Sequence, residues 1–240
     1  MIKNIILFAV LIALFTFWNN ELQAQFGNLE TKDLDKPVVV ELFTSQSCSS
    51  CPPADKNLAK LSENPNVIAL GFHVTYWNHL HWKDTLSNQF STDRQRAYAR
   101  HKGNGRVYTP QMVVNGGDEF VGSRSGSIKS SLNRAQEVDP IQVAEDGDKL
   151  TVTLPSLKDG NYTLWLAGTK DTHTQEIPSG ENRGRTVTYH NAVLHYEKAG
   201  NWDGFPQELS FDKPAGDIDN YVVLAQENGY GRIIAAGKTQ

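Results

Sequence analysis

Two cysteines separated by two serines, Cys48-Ser49-Ser50-Cys51, are the only cysteines in the chain. A pair at this spacing supports two chemistries. It can cycle between dithiol and disulfide, with a thiolate attacking a substrate sulfur. It can also give two thiolates to a soft metal ion, with histidine completing the set. In the redox reading Cys48 is the exposed nucleophile and Cys51 the buried resolving thiol. No lysine or arginine neighbours the pair in sequence, so helix-terminal N–H groups and the hydroxyls of Ser49 and Ser50 are left to stabilise a thiolate. In the metal reading the third ligand is His73, backed by His79 or His81, and the ion is copper or zinc. A third reading is a binding module without turnover. There Cys48–Cys51 stays oxidised, and the aromatic segment from Tyr76 to Trp82 joins the second half of the chain in a recognition surface.

The N-terminus bears on this choice. Lys3 gives a positive start, residues 5–18 are an apolar run, and Leu22-Gln23-Ala24 offers a small residue for cleavage. These features predict a signal peptide over residues 1–24, and with it an exported, periplasmic or secreted protein. The run is short for a membrane span, so membrane attachment is expected only through an uncleaved signal. Outside the cytosol disulfides persist, yet a bridge closing two residues restricts little of the unfolded chain. Redox exchange with protein or small-molecule thiols and disulfides is therefore the favoured reading, and it needs no cofactor beyond the cysteines. The net charge of −4 over 240 residues gives no basis for nucleic-acid binding.

The elements that must position the pair follow from periodicity. Residues 37–43 alternate as a strand, Ala54, Leu58 and Leu61 mark a helix opening at Cys51, and residues 67–74 read as a central strand. A helix over residues 87–102 follows, with Arg94, Arg96 and Arg100 read as a solvated basic face. Residues 111–115 and 119–122 read as a hairpin around Asn115-Gly116, and residues 125–138 as a helix. This β-α-β-α-β-β-α order is that of thioredoxin with a longer connection before the third strand. Beyond Asp139-Pro140 short strands and turn signals predict a β-sandwich. The expected organisation is a linker over residues 25–36, an α/β thioredoxin-like domain with a helical insertion over residues 37–139, and an all-β sandwich-like domain over residues 140–240.

Glu41 stands inside the first apolar strand, where a carboxylate is costly to bury unpaired. Either it lies near the strand end and reaches solvent, or it sits beneath the dithiol with a raised pKa and shuttles protons. In the second half, Glu181, Asn182, Arg183, Arg185 and His190 form a polar cluster that either faces the dithiol or makes a loop salt bridge.

Several linked motifs carry a family resemblance. They are Glu41-Leu42-Phe43-Thr44-Ser45-Gln46, Cys48 through Asp55, Val107-Tyr108-Thr109-Pro110-Gln111, His73-Val74-Thr75-Tyr76-Trp77 and Gly180-Glu181-Asn182-Arg183-Gly184-Arg185. On these the chain resembles the secreted, thioredoxin-like family catalogued as domain of unknown function 1223. The resemblance implies that Pro110 is cis and packs beside the dithiol, and that the backbone of Thr109 pairs with a bound polypeptide. Thioredoxin-like reductases commonly carry an aromatic residue and a proline where this chain has Ser47 and Ser49-Ser50, so no direction of electron flow is implied.

Overall fold

A strand whose side chains are all buried needs a partner on each edge and a layer on each face. β1 (Val38–Thr44) is such a strand. It pairs in parallel with β2 (Val67–His73) and antiparallel with β3 (Gln111–Val114). The computed structural model describes residues 34–103 and 105–239. The expected signal peptide, residues 1–24, and residues 25–33 of the expected linker lie outside the described residues. α1 (Pro52–Ser62) connects β1 to β2, and α2 (Gln89–His101) lies between β2 and β3. β4 (Asp118–Val121) returns along β3 through a turn in which Asn115 and Gly116 are both left-handed. A Cβ on Gly116 would stand 2.4 Å from the Gly231 carbonyl oxygen, so this turn admits only glycine there. α3 (Ser125–Arg134) follows.

The rest is strand: β5 (Asp139–Pro140), β6 (Gln142–Asp146), β7 (Lys149–Leu154), β8 (Tyr162–Glu176), β9 (Thr186–Trp202), β10 (Gln207–Asp212), β11 (Asn220–Glu227) and β12 (Ile233–Lys238). Here the expected fold class fails. The chain is dominated by one mixed sheet of nine strands, ordered β4-β3-β1-β2-β9-β8-β11-β12-β5, with three short helices among the described residues. It has no thioredoxin-like α/β layout carrying a helical insertion. Nor is the second half a sandwich of its own, since β8, β9, β11 and β12 continue the sheet begun by β1–β4. The seam is β2 with β9, joined in parallel at Gly71 and Ala192. Gly71 permits it, because a Cβ there would already stand 3.3 Å from the His190 carbonyl oxygen. The connection over residues 74–88 is built of turns, and among the described residues α2 is the one helix between β2 and β3.

Period-two alternation sorts β8 and β11 onto two cores. Trp165, Ala167, Val222 and Leu224 join Phe43, Phe72 and Tyr98 on one face. Leu164, Leu166, Val223 and Ala225 meet Val143, Leu150, Val152 and Leu154 on the other, where β10-β7-β6 forms a second, three-stranded layer. β8 and β9 run well past their buried portions as a polar hairpin paired from Thr172↔His190 to Glu176↔Thr186. That extension brings the β8–β9 loop to the cysteines.

Candidate functional site

β1 ends at Thr44, and the chain turns through Ser45-Gln46-Ser47 into the cysteine pair. Cys48 N–H donates to the Ser45 carbonyl (3.1 Å) and Cys51 N–H to the Cys48 carbonyl (3.2 Å). Cys51 is the N-cap of α1, and the two sulfurs are bonded, with the Cα atoms 5.4 Å apart. Pro52 and Pro53 follow, which suits a first helical turn whose N–H groups lack partners. It also removes the donors expected to stabilise a thiolate. The next two N–H groups, of Ala54 and Asp55, both donate to the Cys51 carbonyl. What remains near the Cys48 sulfur is the Ser50 hydroxyl, at 3.4 Å.

The exposed nucleophile expected at Cys48 is not found. Cys48 is 1% and Cys51 0% exposed, while Ser49 and Ser50 face solvent. Two loops cover the pair. From the β8–β9 loop, Asn182 Nδ2 donates to the carbonyls of Gln46 and Cys48, both at 2.9 Å, and Glu181 accepts from Ser49 N–H at 3.2 Å. From the connection before α2, the Trp82 carbonyl accepts from Ser47 Oγ (2.6 Å) and Trp82 Nε1 donates to Gln46 Oε1 (2.9 Å). Asn182→Ala leaves two carbonyls without their donor and eases local opening. The expected result is reduction of Cys48–Cys51 by a small thiol about tenfold faster than in wild type, read by thiol-specific alkylation.

Behind the disulfide lies a buried polar layer. Asp55 stands four residues after Cys51, on the same face of α1, where side chains at this spacing are neighbours. Thr44 Oγ1 donates to Asp55 Oδ1 (2.8 Å), and Asp55 Oδ2 has no hydrogen-bond partner. Burial pushes the Asp55 carboxyl up to about 7, against the pull of nearby His73. His73 Nδ1 pairs with Asp84 Oδ2 at 2.8 Å. Burial alone would lower the His73 pKa, but the Asp84 charge and hydrogen bond carry it above the ordinary value. Asp84 is held below its ordinary value despite burial, because His73 and the N–H groups of Gln46 and Leu86 bind its carboxylate. Tyr189 closes the layer, its ring edge-on to His73 with centroids 4.9 Å apart.

A family model described as "Protein of unknown function (DUF1223)" matches residues 39–226. The chain belongs to that family. The matched residues of this DUF1223 protein include the cysteines, the buried polar layer and the covering Asn182. Among solved structures it is similar to protein AGR_C_4864 from Agrobacterium tumefaciens, at 29% identity and a TM-score of 0.75, covering 85% of this chain and 95% of that one. It is also similar to HBP35 of Porphyromonas gingivalis, at 18% identity and a TM-score of 0.57, covering 85% and 74%. The second likeness concerns the fold alone. No curated protein matches the chain.

Glu41 neither reaches solvent nor lies free beneath the sulfurs. It is 0% exposed, accepting from Arg94 Nε and from the Tyr98 hydroxyl, both at 2.5 Å. Arg94 is therefore buried, not part of a solvated face. The Thr109-Pro110 bond is cis, and Gln111, the next residue, lies opposite Phe43 near the end of β1. Thr109 Oγ1 accepts from Trp77 Nε1 (2.8 Å), and the Pro110 carbonyl accepts from Gly122 N–H (3.0 Å). His73 is turned to Asp84, and among the described residues no three His, Cys, Asp or Glu side chains are grouped to hold a metal ion. Asp55 and Asp84 were not anticipated. The spacing of Asp55 from Cys51 is a usable signal; nothing in the sequence pairs Asp84 with His73.

Proposed function

We propose that Cys48–Cys51 is a redox-active pair that exchanges electrons with thiol or disulfide substrates outside the cytosol. The observation that carries this is Asp55, a buried carboxyl with one oxygen unpartnered, one helical turn behind the resolving cysteine. Such a group is costly in an inert bridge. In an exchange site it has a use. When the pair is reduced, Cys51 carries a proton that must leave before its sulfur can attack, and a carboxyl ionising near neutral pH is matched to take it.

Burial does not separate the two sulfurs. Cys48 is assigned as the one that meets the substrate because it lies directly under the Asn182 contact, whereas Cys51 is the N-cap of α1. The Asn182 and Trp82 loops must part for this. Burial of Cys48 also favours a second reading, a structural disulfide sealed by its cover. The two are separated by trapping. In Cys51→Ser, the Cys48 thiol is expected to form a stable mixed disulfide with a substrate disulfide, visible as a mass increase that dithiothreitol reverses. No adduct under conditions that label a surface thiol would support the structural reading and overturn exchange.

A further inference from the structure

Alongside α1 lies a cavity of about 690 Å³, between that helix and the first residues of β9. This size is that of sites for small molecules, well short of a groove for a folded partner. Its lining includes Pro52, the residue after Cys51, and Asp55. Lys56 and Lys60 come from α1 and Arg185 from the start of the β9 side, with Glu63 the one exposed carboxylate among the lining residues. Among the described residues the side chains of Lys56 and Arg185 have no ion-pair or hydrogen-bond partner. Of the other surface lysines, Lys36 pairs with Asp139 and Lys149 with Asp212, while Lys129 and Lys198 have no partner among the described residues. What sets Lys56 and Arg185 apart is that both line one cavity beside the cysteine helix.

We infer that this cavity is the substrate pocket of the disulfide and selects low-molecular-weight thiols and disulfides that carry carboxylates. The inference rests on the exchange reading above and names its substrate class. Lys56 and Arg185 would pair with carboxylates, Arg185 in the two-pronged geometry that guanidinium allows. Neither cysteine lines the cavity, but Pro52, the residue after Cys51, does, so a substrate sulfur would reach the pair from that side once the cover parts. Arg185 also adjoins the loop whose Asn182 holds the Cys48 carbonyl (2.9 Å), and its own N–H donates to the Asn182 carbonyl (3.1 Å). A ligand drawing on Arg185 thus acts on the segment that covers the sulfur.

The reaction balances without a further component. The Cys48 thiolate attacks one sulfur of the substrate disulfide, forming a mixed disulfide and releasing the first substrate thiolate. The Cys51 thiolate then attacks the Cys48 sulfur, re-forming Cys48–Cys51 and releasing the second. Two electrons pass from the dithiol to the substrate, and the protons of the dithiol end on the two released thiols. The reverse sequence oxidises two substrate thiols.

The test uses the reduced full chain with two probes, glutathione disulfide, in which carboxylates outnumber ammonium groups, and the uncharged bis(2-hydroxyethyl) disulfide. Lys56→Glu/Arg185→Glu is expected to slow reaction with glutathione disulfide about tenfold more than reaction with the uncharged probe. Equal effects on both probes, or none on either, would overturn the pocket while leaving exchange in place. If neither probe reacts with wild type, exchange itself fails. S-methylglutathione, which cannot exchange, then reads the cavity alone by calorimetry on the oxidised protein. Binding lost on charge reversal supports the site, and no binding by wild type removes it.

Discussion

Asp55→Asn is expected to raise stability above neutral pH and to slow exchange through the disulfide. Both effects have one origin. In the unfolded chain this carboxyl ionises near 3.8, and in the fold at about 7. Between those values the folded state keeps a proton that the unfolded state has released, so stability falls as pH rises across the window and then levels off. The full penalty is on the order of 4 kcal/mol at pH 8. The neighbouring groups act in stated directions. His73, raised above 6.5, adds stability that is present below that value and lost as pH climbs through its folded pKa. Asp84, lowered from 3.8, adds stability present above that value and lost only in acid. Tyr189 is pushed upward by burial and stays neutral throughout. The wild-type midpoint of thermal unfolding should therefore drop between pH 5 and pH 8. Asparagine keeps the shape and the Thr44 contact but has no charge to bury, so its curve should be flatter and higher at pH 8. Exchange should fall roughly 10- to 100-fold near neutral pH as the proton acceptor is lost, with the inflection near pH 7 missing from the rate profile. A variant that is slower yet no more stable at pH 8 would contradict the single origin.

Arg94→Met should be among the most destabilising single changes in the protein. The guanidinium is fully buried and donates to Glu41, to Tyr98 at 2.8 Å, to Gln226 at 3.3 Å, and to Tyr196. It lies 4.8 Å from the ring centres of both Tyr98 and Tyr196. One side chain thus ties α2 to β1, β9 and β11. Methionine removes the charge that balances Glu41, and an unpaired buried carboxylate costs about 3–5 kcal/mol. For a chain this size the unfolding midpoint should fall by roughly 10 °C. Glu41→Gln/Arg94→Met should recover much of that loss, because it takes both charges out together. A loss under about 1 kcal/mol for Arg94→Met, read from urea unfolding, would mean that Glu41 finds another partner.

Local pattern made much of this molecule readable in advance. Apolar runs located β1 and β2, helical spacing located α1 and α2, and Asn115-Gly116 located the hairpin. The fold class was not readable, and the cause can be named. The outer half of β8, from Lys170 onward, is polar and partly or fully exposed, held by ladder hydrogen bonds to β9, so hydrophobic alternation stops at about Ala167 while the strand continues to Glu176. The seam that fuses the halves is a single register pair at Gly71, a residue with no side chain to advertise it. The site shows the same division. The cysteine spacing marked the turn before α1, and the Gly180–Arg185 motif does come against it, since Asn182 donates to the Cys48 carbonyl. The roles of the acids did not follow. Glu41 is bound to an arginine 53 residues away, and His73 to an aspartate in a loop without periodicity.

The reduction potential of Cys48–Cys51, measured against a glutathione or dithiothreitol series, tests the redox claim most directly. Pro52 and Pro53 deprive the Cys48 thiolate of two helix-terminal donors, which disfavours the reduced form relative to strongly oxidising pairs. The potential should lie at the reducing end of exchange-active dithiols, near about −270 mV. A value below about −300 mV, with no mixed disulfide formed by Cys51→Ser, would show an inert bridge and contradict the account.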